Sequence, residues 1–182
     1  MSSNITNLTS KQKAVVDNLV ALNDEEIVSL IQDFRDNGEL YILQPLIEMI
    51  YSQRGQALKT SILDFISDIK NQDAVTIIAK SIQGHIGDKN TSGLIAACWQ
   101  SNLDFSNEIP IFIDILCERD YQAAFDAFTV VENSIGNVSP ESIGLYITTI
   151  ESKLKATPVE KKSLLTEMLV MLENFRKNGV MN

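Results

Sequence analysis

"IEMIYSQRGQALKTSILDFI", residues 47 to 66, lies over "IDILCERDYQAAFDAFTVVE", residues 113 to 132: Ile47 meets Ile113, Glu48 meets Asp114, and Gln56-Ala57 meets Gln122-Ala123. Between them "SGLIAACWQSNL" supplies a middle copy, placing Leu94 with Leu58 and Ala124, and Cys98 with Ile62 and Phe128. The repeat length is therefore in the low thirties. A unit of that size is one supersecondary element that cannot bury its apolar face alone, and stacking copies gives them a shared core.

Outward from these copies, apolar residues recur at three- and four-residue steps almost throughout, while period-two alternation is scarce, so the fold class is all-α. The pattern predicts helices near 10–22, 24–37, 39–53, 55–69, 72–86, 91–102, 106–118, 120–135, 139–155 and 157–178 in one domain spanning 1–182. Ser10 opens the first and Asn23 or Asp24 the second. Ser139-Pro140 and Thr157-Pro158 open the last two, with each Pro at the first helical position. Gly38, Gly55 and Gly179 are natural stops or turns. Short connections make consecutive helices antiparallel hairpins.

Fifteen basic against twenty-four acidic residues give a net charge of −9, and such a field repels phosphate backbones and anionic lipid heads. No nucleic-acid or membrane partner is expected. The start "MSSNITNLTSKQKAVV" lacks a basic region followed by an apolar core, and no segment approaches about 18 uninterrupted apolar residues. That points to a cytoplasmic protein, in which the sequons at Asn4, Asn7, Asn90 and Asn137 are idle and Cys98 and Cys117 are free buried thiols.

Known catalytic and metal patterns fail on their residues. Asp88, Asn90, Ser92 and Gly93 match the first half of a calcium loop, but Trp99 stands where the bidentate Glu belongs. His85 is the only histidine, so multi-His zinc sites are excluded, and a Cys-His nucleophile pair would need it beside Cys98 or Cys117 with an orienting third group. Cys98 occupies a core position of the repeat. No phosphate loop, dinucleotide fingerprint or nucleophile elbow is present. The expectation is a protein without catalytic residues, metal or cofactor.

"LYILQPLIEMIYSQRGQALKTSILDFISDI", residues 40 to 69, with Pro45 bending its first helix, resembles a HEAT-like or armadillo-like hairpin. So does "EIPIFIDILCERDYQAAFDAFTVVENSI", residues 108 to 135, with Pro110 in a similar place. The resemblance covers residues 39–136. Where HEAT units carry a Val-Arg pair at the start of the second helix, this chain has Ala57-Leu58 and Ala123-Ala124. The resemblance implies a right-handed α-α superhelix of roughly four to five hairpins, with the second helices of successive hairpins lining its concave side.

In that register Trp99 aligns with Leu63 and Thr129. Steps of three and four from it gather Thr60, Leu63 and Asp64 on one helix, Ala96, Trp99 and Gln100 on the next, and Asp126 and Thr129 on a third. Trp99 is either a large core residue or the anchor of a binding face. In the second case the resemblance implies a non-enzymatic scaffold for a protein or peptide whose basic groups meet Asp64 and Asp126. The alternatives are an enzyme or ligand binder acting on a small molecule in the concave groove, or a subunit of a larger assembly.

Overall fold

A computed structural model describes residues 8–37 and 40–179; the sequons at Asn4 and Asn7, and Gly38, lie outside them. The described residues form ten α-helices and no strand. They are α1 (Ser10–Ala21), α2 (Asp24–Asn37), α3 (Leu43–Ile50), α4 (Gln56–Asp68), α5 (Ala74–Gly84), α6 (Thr91–Gln100), α7 (Ile109–Glu118), α8 (Tyr121–Ser134), α9 (Pro140–Leu154) and α10 (Val159–Gly179). No helix among the described residues is long and apolar enough to cross a membrane.

The caps explain the boundaries, and three differ from the sequence reading. Thr9, not Ser10, caps α1: its hydroxyl accepts from the Gln12 N–H at 3.2 Å while the Gln12 carboxamide accepts from the Thr9 N–H at 3.0 Å. Asn23 and Glu26 close the same reciprocal pair at the start of α2, both at 3.0 Å. Pro45 does not bend a longer helix. It sits in the first turn of α3, where its missing N–H costs nothing, and the preceding turn, Leu40–Ile42, is a 3-10 helix. Pro110 plays the same part in α7 after the 3-10 turn Ser106–Glu108. Ser139 caps α9 with Pro140 in its first turn, as expected. Thr157 does not cap α10. Its hydroxyl donates back to the Lys153 carbonyl at 3.0 Å and closes the end of α9 instead, so α10 starts after Pro158.

Packing sorts the helices into two rows. Helices α4, α6, α8 and α10 each pack on the even helix before them, from α2 onward, while in the odd row α3 packs on α5 and α7 on α9. Each of the pairs α3/α4, α5/α6, α7/α8 and α9/α10 also packs internally. Buried residues form one contiguous cluster from Leu19 in α1 to Leu172 in α10.

Small side chains let the even helices approach. Ala123, Ala124 and Ala127 are fully buried along α8, and Gly93 on α6 is so close to α4 that an added Cβ would lie 2.7 Å from a Leu63 methyl carbon.

Polar bonds stitch neighbouring hairpins together, several of them across 33 to 35 residues. Arg35 pairs with Asp68, 33 residues on. The Ser67 hydroxyl donates to Gln100 at 3.1 Å, also 33 residues on. Lys153 donates to Glu118, 35 residues back, at 2.9 Å. Arg54 reaches back to the end of α1, donating to the Leu22 and Val20 carbonyls at 2.8 and 2.9 Å and to Asp24 at 3.0 Å. Buried Lys161 does the same for α7, with the Cys117 and Arg119 carbonyls at 2.9 and 2.6 Å. These cations satisfy carbonyls that a helix end leaves open, and they stand in the turn after α3 and on α10.

Candidate functional site at Trp99

Trp99 is neither plain core nor plain surface. Its residue exposure is 37%, yet its indole N–H donates to the Asp126 carboxylate of α8 at 3.2 Å. Asp126 is only 6% exposed and takes a second bond from the Gln122 amide at 3.3 Å. One edge of the ring is therefore tied into the α6/α8 contact while the rest faces outward. This corrects the expectation for Asp126: its charge is occupied from within the molecule, and it is not free to meet a partner's basic group.

The other residues expected on this face are distributed as follows. Thr60, Asp64 and Gln100 are exposed, and Leu63, Ala96 and Thr129 are half-buried. Leu63 is turned toward Gly93, Gln100 bonds Ser67 on α4, and the Thr129 hydroxyl donates to its own helix at the Phe125 carbonyl at 3.2 Å. Trp99, Gln100 and Asp126 are thus joined to neighbouring even helices by direct bonds. Sequence reasoning passed over Phe125, 48% exposed one residue before Asp126.

Beside Trp99 opens a cleft of about 370 Å³ where α6 and α8 end. Its floor is Leu103, Phe105 and Val130, and its rim carries Asn102, Asp104, Asn133 and Asn137. The local sequence builds it in three steps. The Ser101 hydroxyl donates to the Cys98 carbonyl at 2.8 Å and closes α6. Asn102 then adopts φ 51, a left-handed conformation that Asn tolerates better than most residues, and the chain reverses. Phe105 finally anchors the turn, stacked edge-on against Phe112 with ring centroids 5.6 Å apart, its N–H donating to the buried Ser134 hydroxyl at 3.1 Å.

Asp104 ties three hairpins together at this point. Its backbone exchanges two hydrogen bonds with the Gln72 side chain, and its carboxylate accepts from the Ser106 N–H at 2.9 Å and the Asn137 amide at 2.8 Å. Burial pushes its pKa up, but those hydrogen bonds outweigh it and hold the carboxyl below the usual carboxylate range.

A second cleft of about 290 Å³ lies at the ends of α2 and α4. Phe34, Phe65 and Asp68 are among its lining residues, on the helices that stand two hairpins before α6 and α8. Its floor is apolar, and the Arg35–Asp68 ion pair spans its mouth.

The catalytic and metal candidates are accounted for elsewhere. Cys98 is buried, its thiol donates to the Leu94 carbonyl at 3.2 Å, and burial pushes its pKa far up, which suppresses thiolate chemistry. His85 stacks on Tyr51 with centroids 3.8 Å apart and bonds the Ser81 carbonyl. In the would-be calcium loop the Asp88 carboxylate is taken by the Asn90 backbone and side-chain N–H groups at 2.7 and 2.9 Å, a local turn. Among the described residues no group of three or more His, Cys, Asp or Glu is arranged to hold a metal.

No protein-family model, curated protein or solved structure matches the chain.

Proposed function

We propose that the protein is a non-enzymatic binding scaffold: a right-handed α-α superhelix of HEAT-like hairpins whose even helices line the concave side and hold a protein or peptide partner. The observation that carries this reading is Trp99, a large aromatic pinned at one edge by Asp126 and open on the rest, in the middle of the even row. A pre-positioned indole offers apolar area and loses little entropy on binding.

Three further features support it. Cross-links recurring at 30 to 35 residues tie each hairpin to the next, as a stack of repeats requires. The even helices, spaced by Gly and Ala, pack more continuously than the odd ones, and the more tightly packed layer of a curved stack is its inner one. Thr60, Asp64 and Gln100 leave a polar, net acidic surround that fits a partner with basic groups, with Asp64 as the available carboxylate. The unpaired thiols Cys98 and Cys117 fit a reducing compartment.

Selection from a displayed random-peptide library, followed by hydrogen-exchange footprinting of the best binder, tests the reading. Enrichment of Lys- or Arg-bearing peptides that protect α4, α6 and α8, and that lose binding to Trp99→Ala while this variant keeps its helical circular dichroism, is the expected result. Protection confined to the odd helices would overturn it.

A further inference from the structure

Two side-chain amides in the Trp99 cleft are left wholly open, and Asn137, which gives one N–H to Asp104, keeps its carbonyl oxygen. Both carboxylate oxygens of Asp104 already accept a bond, the Ser134 hydroxyl accepts from Phe105, and the indole N–H is given to Asp126. Asn102 and Asn133 line the same cleft and bond to no other described residue. A carboxamide provides donors and acceptors in equal measure and no charge. No Lys, Arg or His is among the lining residues, so an anion would meet the Asp104 carboxylate with nothing to balance it. A cation would meet the Asp104 carboxylate only through the lone pairs that its two N–H donors leave over, and the two open amides would offer it their oxygens alone. The groups that fit best both donate and accept, as hydroxyls do.

The wall opposite is aromatic. Because its N–H is tied to Asp126, the Trp99 ring presents a fixed apolar face beside the two amides, and the cleft, about 370 Å³, lies at the small end of the range for ligand pockets. We propose that this cleft binds a neutral hydroxylated ring of the monosaccharide class, its C–H face against Trp99 and its hydroxyls on Asn102 and Asn133. The combination is not a by-product of the repeat: the cleft at the ends of α2 and α4 holds an ion pair over an apolar floor. The proposal shares Trp99 with the scaffold reading but does not rest on it, since its polar contacts are Asn102 and Asn133.

Trp99 is the only tryptophan, so intrinsic fluorescence reads the cleft directly. Glucose, galactose, mannose and N-acetylglucosamine are titrated to about 100 mM, a range that covers weak millimolar binding, with sorbitol as an open-chain control and arginine methyl ester as a cationic one. At least one ring sugar gives a saturable change and sorbitol gives none. Asn133→Ala and Asn102→Gly, the latter keeping the left-handed turn, each weaken that response about tenfold, the effect of losing one to two hydrogen bonds. Absence of a saturable response to every sugar overturns the proposal. So does a response to arginine methyl ester alone, which gives the cleft to cations, or a sugar response that survives both substitutions. A positive sugar titration alongside a failed peptide selection would leave this cleft assigned and the scaffold reading lost.

Discussion

At the scale of single residues, the bond between Trp99 and Asp126 is the feature with the most consequence. A carboxylate that is 6% exposed needs its partners, and the indole N–H is one of two. Trp99→Phe keeps an aromatic ring but removes the donor, so it should destabilise the fold by about 1–3 kcal/mol, the cost of leaving a buried acceptor unsatisfied, read as a lower urea midpoint by circular dichroism. Trp99→Phe together with Asp126→Leu, which removes the orphaned acceptor too, should recover part of that loss. A double variant as unstable as the sum of its parts would place the effect in ring packing instead. The sequence put Trp99 and Asp126 on one face through repeat register. It could not show that they touch, because α6 and α8 differ in length and in turn length, and the bond depends on how far one helix slides past the other. The same limit hid Asn102 and Asn133, which are unremarkable polar residues until the ends of the two helices meet.

At the scale of elements, the helices themselves were legible because an apolar step of three to four residues is the direct imprint of a buried helical face. Their ends were legible only where a local signal acts alone, as Asn23 and Ser139 do. Thr157 carried the same signal and was captured by the Lys153 carbonyl. Helix spacing also rests on a residue that reads as a weak helix former. Gly93→Ala gains up to about 1 kcal/mol of helix propensity but drives a Cβ against Leu63. The expected net is a loss of about 1 kcal/mol in the wild type, typical of mild overpacking, and a gain of similar size in a Leu63→Ala background. A denaturation cycle over the four proteins measures it, and a gain in both backgrounds would show that Leu63 yields freely. Between hairpins, Asp24 accepts from the Gly55 N–H at 2.7 Å and from Arg54; the backbone bond is the largest cause holding its carboxyl below the ordinary value, burial opposes it, and the hydrogen bond and charge of Arg54 add to the lowering. A carboxylate depressed in the fold stabilises it above its unfolded pKa, about 3.9, and that contribution is lost as pH falls through the folded value. Asp24→Asn should therefore lose less stability than the wild type between pH 5 and pH 3, compared by urea midpoints at the two pH values.

At the scale of the whole molecule, the all-α class is what the sequence pattern and the structure share. Bonds that the sequence pattern does not contain, Arg35 to Asp68 and Ser67 to Gln100 among them, join helices of neighbouring hairpins across 33 residues. A stack built on such contacts need not be round. The proposed superhelix is longer than it is wide. Small-angle scattering in dilute solution should then give a radius of gyration of about 18 Å or more, above the roughly 16 Å of a compact chain of this length, and a pair-distance distribution with a long tail. Removing the cross-links should leave that shape while loosening it: Arg54→Ala opens the carbonyls at the end of α1 and should raise hydrogen exchange in α1 and α2 far more than in α7 to α10, since in a stack each hairpin is held mainly by its neighbours. A uniform rise along the chain would instead mean that the helices unfold as one unit, and a radius near 16 Å would mean that they close into a bundle with no concave face to bind on.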